Sequence, residues 1–175
     1  MNKLLFVSLL VALPLTANAE KGDVLSGDIQ QVVELPNMTK ANIYNASRQW
    51  VATEFNSAQN VIQMDDKENG IIIGKGNIKY PCSGSWLCAA YEKDIVKFTV
   101  RIEAKDNKAR VTFSDINRYS FPSYSYGVST PEMTMPVTNT TKKLDTVGQV
   151  KDKFDEVITN YKNTVSKASP QNDNW

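Results

Sequence analysis

The chain has 175 residues, of which 41% are hydrophobic and 22% charged. That is enough for one domain with its own core, and the negative mean hydropathy argues against an integral membrane protein. With 20 basic and 19 acidic side chains there is no net field to draw in nucleic acid, and the absence of histidine removes Ser-His-Asp, Cys-His and histidine-rich zinc machinery.

Residues 1–19 read as a secretory leader. Lys3 supplies the positive start, residues 4–15 are an apolar run too short to span a bilayer, and Ala17-Asn18-Ala19 is an A-x-A cleavage site. Cleavage between Ala19 and Glu20 leaves 19 basic and 19 acidic side chains and no transmembrane anchor. The expected destination is the periplasm or the medium. Residues 20–27 are polar and read as a flexible lead-in.

From Asp28 the pattern is strand-like, with Ile29, Val33 and Leu35 on one alternating face and Pro36-Asn37 ending the run. Thr39 is placed to cap a helix that buries Ile43, Trp50, Val51 and Phe55. The acidic segment Asp65-Asp66-Lys67-Glu68-Asn69-Gly70 between two apolar runs predicts a hairpin. In its second arm Ile72, Gly74, Gly76, Ile78 and Tyr80 share a face, so a helix or another backbone is expected close to the two glycines.

Cys82 and Cys88 are the only cysteines, and in an oxidising compartment they read as a structural disulfide. Their spacing is not C-x-x-C, and no basic residue lies between them to lower a thiol pKa.

Val96, Phe98, Val100, Ile102 and Ala104 then alternate with Lys97, Thr99, Arg101 and Glu103. After the turn at residues 105–108, Ala109, Val111 and Phe113 alternate with Arg110, Thr112 and Ser114. This predicts a long antiparallel hairpin with one apolar and one wet face. Residues 120–146 read as irregular. Val147, Val150, Phe154, Val157, Ile158, Tyr161 and Val165 trace a final helix, and residues 167–175 read as a frayed tail.

The segment from Ile43-Tyr44 through Trp50 and the acidic hairpin to Gly74-Lys75-Gly76 resembles a bacterial family of exported proteins, known as a domain of unknown function with a TATA-box-binding-protein-like (TBP-like) fold. The resemblance covers about residues 28–165. It implies an α+β fold and brings no activity and no catalytic residues, and the fold name does not license DNA binding. The expectation is one TBP-like domain over residues 28–166, a mostly antiparallel five-stranded sheet with two helices on one face, in the order β-α-β-β-β-β-α. The cysteine loop and the Tyr/Pro/Met-rich loop are not features of the family core.

Several constellations carry little chemistry. Gly74-Lys75-Gly76 sits inside a strand and lacks the P-loop pattern. Asp65, Asp66 and Glu68 do not follow an EF-hand. Met133 and Met135 make a poor copper site without further soft ligands. No metal and no cofactor is expected. The wet sheet face gathers Lys75, Lys79, Lys97, Arg101 and Arg110, with Glu103 its only acidic member. It reads either as solvated surface or as a platform for an anionic ligand, with Tyr119, Phe121, Tyr124 and Tyr126 as stacking surface beside it. The expected function is a non-enzymatic binding module for an envelope protein or small anionic ligand, with Lys75, Lys79, Lys97, Arg101, Arg110, Tyr124 and Tyr126 as its site residues. The alternative is a structural accessory of an envelope assembly. No nucleic acid is expected as a partner.

Overall fold

The computed structural model describes residues 24–55, 62–125, 127–139 and 144–168. The expected leader and its cleavage site, the start of the lead-in, Tyr126 and residues 169–175 of the tail lie outside them.

Strand β1 (Ile29–Glu34) ends where Asn37 takes a left-handed φ of 65°, a conformation asparagine tolerates. Helix α1 (Lys40–Glu54) follows, and the Thr39 side chain accepts from the Asn42 amide, as the sequence anticipates. β2 (Ile62–Asp66) and β3 (Ile71–Lys79) form the acidic hairpin, closed by Gly70 at φ 73°. After a short 3-10 helix (Trp86–Tyr91) come β4 (Ile95–Lys105) and β5 (Lys108–Ser120). β6 (Ser123–Ser125), β7 (Val128–Thr130) and β8 (Met133–Pro136) precede α2 (Thr146–Lys167).

The main sheet has the order β1-β5-β4-β3-β2 and is antiparallel throughout, with β8 added beside β5. The five expected strands are present, and β8 makes a sixth. β6 and β7 pair only with each other. The segment expected to be irregular therefore holds three short strands. Periodicity misses them because β7 is exposed along its whole length and β8 nearly so, and alternation arises only where one face is buried.

β5 also runs six residues past its last regular alternation. The ladder with β4 shifts register between Lys97 and Thr99, and Asp115 adopts φ 53°. This bulge sends Ile116 inward and Asp115 outward, reversing the phase that the first half of the strand sets. At the other end, packing begins inside the expected lead-in. Val24 bridges to Thr138, and buried Leu25 donates its amide to the Val137 carbonyl at 2.8 Å.

Both helices lie on one sheet face, α1 over β3 and β4 and α2 against α1 and β1. The α2 stripe is buried along its length, with Val150, Phe154, Tyr161 and Val165 wholly inaccessible. Burying a side chain such as Phe154 contributes about 2–3 kcal/mol. The core is a run of edge-to-face rings, Phe55 to Phe98 at 5.3 Å, Phe98 to Phe154 at 5.1 Å, and Trp50 to Tyr161 at 5.0 Å. Three buried polar tips are satisfied, with Trp50 Nε1 donating to Asn160 Oδ1 at 2.7 Å and the Ser47 and Tyr161 hydroxyls meeting at 2.7 Å, whereas the buried Tyr80 hydroxyl has no partner among the described residues. The approach to Gly76 comes from these rings rather than from a helix or strand backbone. A Cβ there would stand 2.8 Å from Phe98 and 3.1 Å from Phe55. Among the described residues no helix is long and apolar enough to cross a membrane.

Candidate functional site

The face opposite the helices is covered by no described element. Strand pairing sets Lys75 opposite Thr99, Asn77 opposite Lys97, and Glu103 opposite Arg110. Because side chains alternate, Lys75, Lys79, Lys97, Arg101 and Arg110 all stand on this face. The sequence-derived set is thus brought together, but its charges are not equivalent.

Glu103 lies between the two arginines. It accepts from Arg110 at 2.6 Å and from Arg101 at 3.3 Å. The Arg110 hydrogen bond leads in holding the Glu103 carboxyl down to about 2, with Arg101 adding to it, and the Arg110 guanidinium is pushed up in return. Lys75, Lys79 and Lys97 have no carboxylate partner among the described residues. Lys97 places its ammonium 3.2 Å from the centroid of the Tyr119 ring. Tyr119 packs edge-on against Phe121 at 4.9 Å and donates its hydroxyl to Glu132.

Glu103 is not the only acid here. Asp115, turned outward by the bulge, accepts from Thr99 at 3.0 Å, and Glu132 sits on Tyr119. Sequence reasoning missed Asp115 because regular alternation puts residue 115 on the buried face. The available signal was Ile116, an apolar residue one step out of phase.

The acidic hairpin is tied into the protein. Asp65 accepts from Arg48 Nε at 2.6 Å and from the Tyr44 hydroxyl. Arg48 holds the Asp65 carboxyl below its usual range, and burial together with Asp65 pushes the Tyr44 hydroxyl up to about 12. Asp66 accepts from the Asn69 amide at 2.9 Å and from its side chain at 2.8 Å.

Tyr124 stands apart from the lysines. It projects from β6, 77% exposed, into a cleft of about 440 Å³ bordered by the 3-10 helix, Asp94, Ser120 and Phe121. None of Lys75, Lys79 and Lys97 borders that cleft. The 3-10 helix is pinned by the Cys82–Cys88 disulfide, whose Cα atoms are 5.3 Å apart. The expected staple is therefore present. Behind the cleft, Arg118 donates to Asp94 at 2.6 Å and lies over the Tyr91 ring at 4.3 Å. Neither partner of this pair was singled out from the sequence. They are 24 positions apart, and the bulge decides which way Arg118 points.

A family model described as a domain of unknown function (DUF4468) with TBP-like fold matches residues 30–119. The match includes the cysteine loop and stops before β6. Two crystal structures are similar in fold. A TBP-like protein from Parabacteroides distasonis has a TM-score of 0.61 at 17% identity, over 81% of this chain and 94% of that one. A DUF4468 family protein from Bacteroides ovatus has a TM-score of 0.57 at 17% identity, over 86% of this chain and 94% of that one. No curated protein matches the chain.

Proposed function

Because the chain belongs to the DUF4468 family, whose fold comes with no assigned activity, we propose its function from the face that the fold leaves open. It is an exported, non-enzymatic binding module that holds an anionic ligand, or an acidic patch of an envelope protein, on that face. One observation carries this reading: Lys75, Lys79 and Lys97 share the open face without a carboxylate partner among the described residues, while Arg101 and Arg110 are both engaged by Glu103. Tyr119, under Lys97, supplies the adjoining ring from the 119–136 segment. The leader-like residues 1–19 and the disulfide support export. The non-enzymatic reading rests on the lack of histidine and on Asp65, Asp66 and Glu103 already being engaged by protein donors.

The test is calorimetric titration at low salt with a heparin hexasaccharide and with a short poly-glutamate peptide. Wild type is expected to bind at least one of them, and more weakly as salt rises. The double variant Lys75→Glu/Lys97→Glu is expected to lose roughly tenfold in affinity or more with an unchanged melting temperature. Equal affinity in wild type and variant, or no binding by wild type, overturns the lysine platform.

A second reading, a structural accessory docking by strand addition, is favoured by one feature. β2 pairs with β3 only from Ile71 to Gly74, and among the described residues no strand flanks Lys75–Lys79 on that side. An envelope protein that the charge-reversed variant retains as well as wild type would support this reading.

A further inference from the structure

We propose that the cleft between the 3-10 helix and β6 is a second binding site, for a neutral oligosaccharide. It goes beyond the lysine-face reading, since none of its walls belongs to that face.

The walls are built before any ligand arrives. The disulfide holds the 3-10 helix on one side, and the Ser83 amide anchors the same loop to Gln149 of α2 at 2.9 Å. At the base, Asp94 is 95% buried by its 5% exposure, and its two carboxylate oxygens accept from Arg118 at 2.6 Å and Ser120 at 2.7 Å. Arg118 is in turn held between the Asp94 carboxylate and the Tyr91 and Tyr80 rings, at 4.3 and 5.1 Å. The charge at the base is therefore compensated from within, yet Asp94 keeps lone pairs free to accept further hydroxyls. A charged ligand would find no unpaired buried countercharge there.

The outer wall has a different character. Phe121 is 46% and Tyr124 77% exposed, and both border the cleft. Phe121 packs edge-on against Tyr119, with ring centroids 4.9 Å apart. In the sequence from residue 119 to 136, one residue of eighteen is charged, against 22% in the whole chain, and nine carry a hydroxyl. That one charge, Glu132, is already engaged by Tyr119. Tyrosine and serine without charge make a rigid, amphipathic recognition surface with adaptable hydrogen bonding.

Glu92 and Lys93 also line the cleft with opposite charges, and Asp94 is answered by Arg118, so ring faces stand beside hydroxyl donors and acceptors with no net charge, which matches a sugar. Its C–H faces pack on aromatic rings and its hydroxyls need partners of both kinds. An apolar ligand would leave the remaining acceptor capacity of the Asp94 and Ser120 oxygens unused. The volume of about 440 Å³ lies within the range of small-molecule sites.

The test is an amide NMR titration of the full protein with maltohexaose, cellohexaose, mannohexaose and chitohexaose at millimolar concentration. At least one is expected to give saturable shifts at Ala89, Ala90 and Tyr124. Tyr124→Ala should weaken that binding roughly tenfold with an unchanged melting temperature, and Phe121→Ala should weaken it too. Lys75→Glu/Lys79→Glu, which spares the Lys97–Tyr119–Phe121 contacts, should leave it untouched, which separates this site from the lysine face. The proposal is overturned if none of the four sugars perturbs the cleft, if the shifts survive Tyr124→Ala, or if only the lysine variant abolishes them. It is also overturned if Tyr124→Ala instead changes the solution mass, which would make the hairpin a protein interface.

Discussion

Arg118 and Asp94 form a nearly buried ion pair, Nε to Oδ2 at 2.6 Å, that ties the far end of β5 to the residue immediately before β4. Arg118→Met would leave the Asp94 carboxylate buried with only the Ser120 hydroxyl as donor. Breaking such a pair from one side costs about 3 kcal/mol, whereas replacing both partners costs much less. Urea unfolding should therefore show a large loss for Arg118→Met and a substantial recovery in Arg118→Met/Asp94→Leu. Additive losses would contradict the pairing.

The disulfide closes a ring from Cys82 to Cys88. The chain-entropy argument assigns such a ring about 2 kcal/mol. Cys82→Ser/Cys88→Ser should lower the melting temperature by about 5 °C. Non-reducing peptide mapping of the protein isolated from its own cells should return the two cysteines linked, and free thiols at both positions would refute the bond.

Gly76 faces the aromatic core with no room for a methyl group, its missing Cβ lying 2.8 Å from the Phe98 ring. Gly76→Ala must displace Phe98 or Phe55, and overpacking of this kind costs about 1–3 kcal/mol. The loss should be visible in equilibrium unfolding. Gly27→Ala is a useful contrast for crowding: its missing Cβ meets nothing within 4 Å, and only its φ of 77° penalises it.

Glu103 makes stability depend on acid. Its folded-state value of about 2 lies below the ordinary 4.5, so the stabilisation is complete above pH 4.5 and is lost as pH falls toward 2. At about 1.4 kcal/mol per pH unit the full linkage is about 3 kcal/mol, and solvent screening at half-exposed Arg110 reduces this to about 1 kcal/mol. Unfolding of wild type and Glu103→Gln should differ by that amount at pH 7 and converge near pH 2. A constant difference across that window would remove the role of the carboxylate.

Both helices and the five strands β1 to β5 were legible in the sequence. α2 is the clearest case, because each residue of its stripe is buried against the sheet, and burial is what keeps a 3.6-residue period in the sequence. β7 and β8 left no such trace, being exposed nearly throughout, and the bulge at Asp115 broke the period that would have carried β5 on to Ser120. The candidate site was legible as a set of residues and not as a set of charges. Alternation alone placed Lys75, Lys97, Arg101 and Arg110 on one face. It could not place Asp115 there, nor set Tyr124 at a separate cleft.

What the sequence by itself determined is the type and order of the two helices and of strands β1 to β5, and the cysteine pairing, because apolar period, capping and ring size are local properties of neighbouring residues. Only the tertiary structure decided which cations remain free. Glu103 reaches Arg110 across the β4–β5 ladder, and Lys97 finds Tyr119 past a shift in register. Contacts of a few ångströms between residues far apart in the chain depend on that register, and a displacement of one residue sends each side chain to the opposite face.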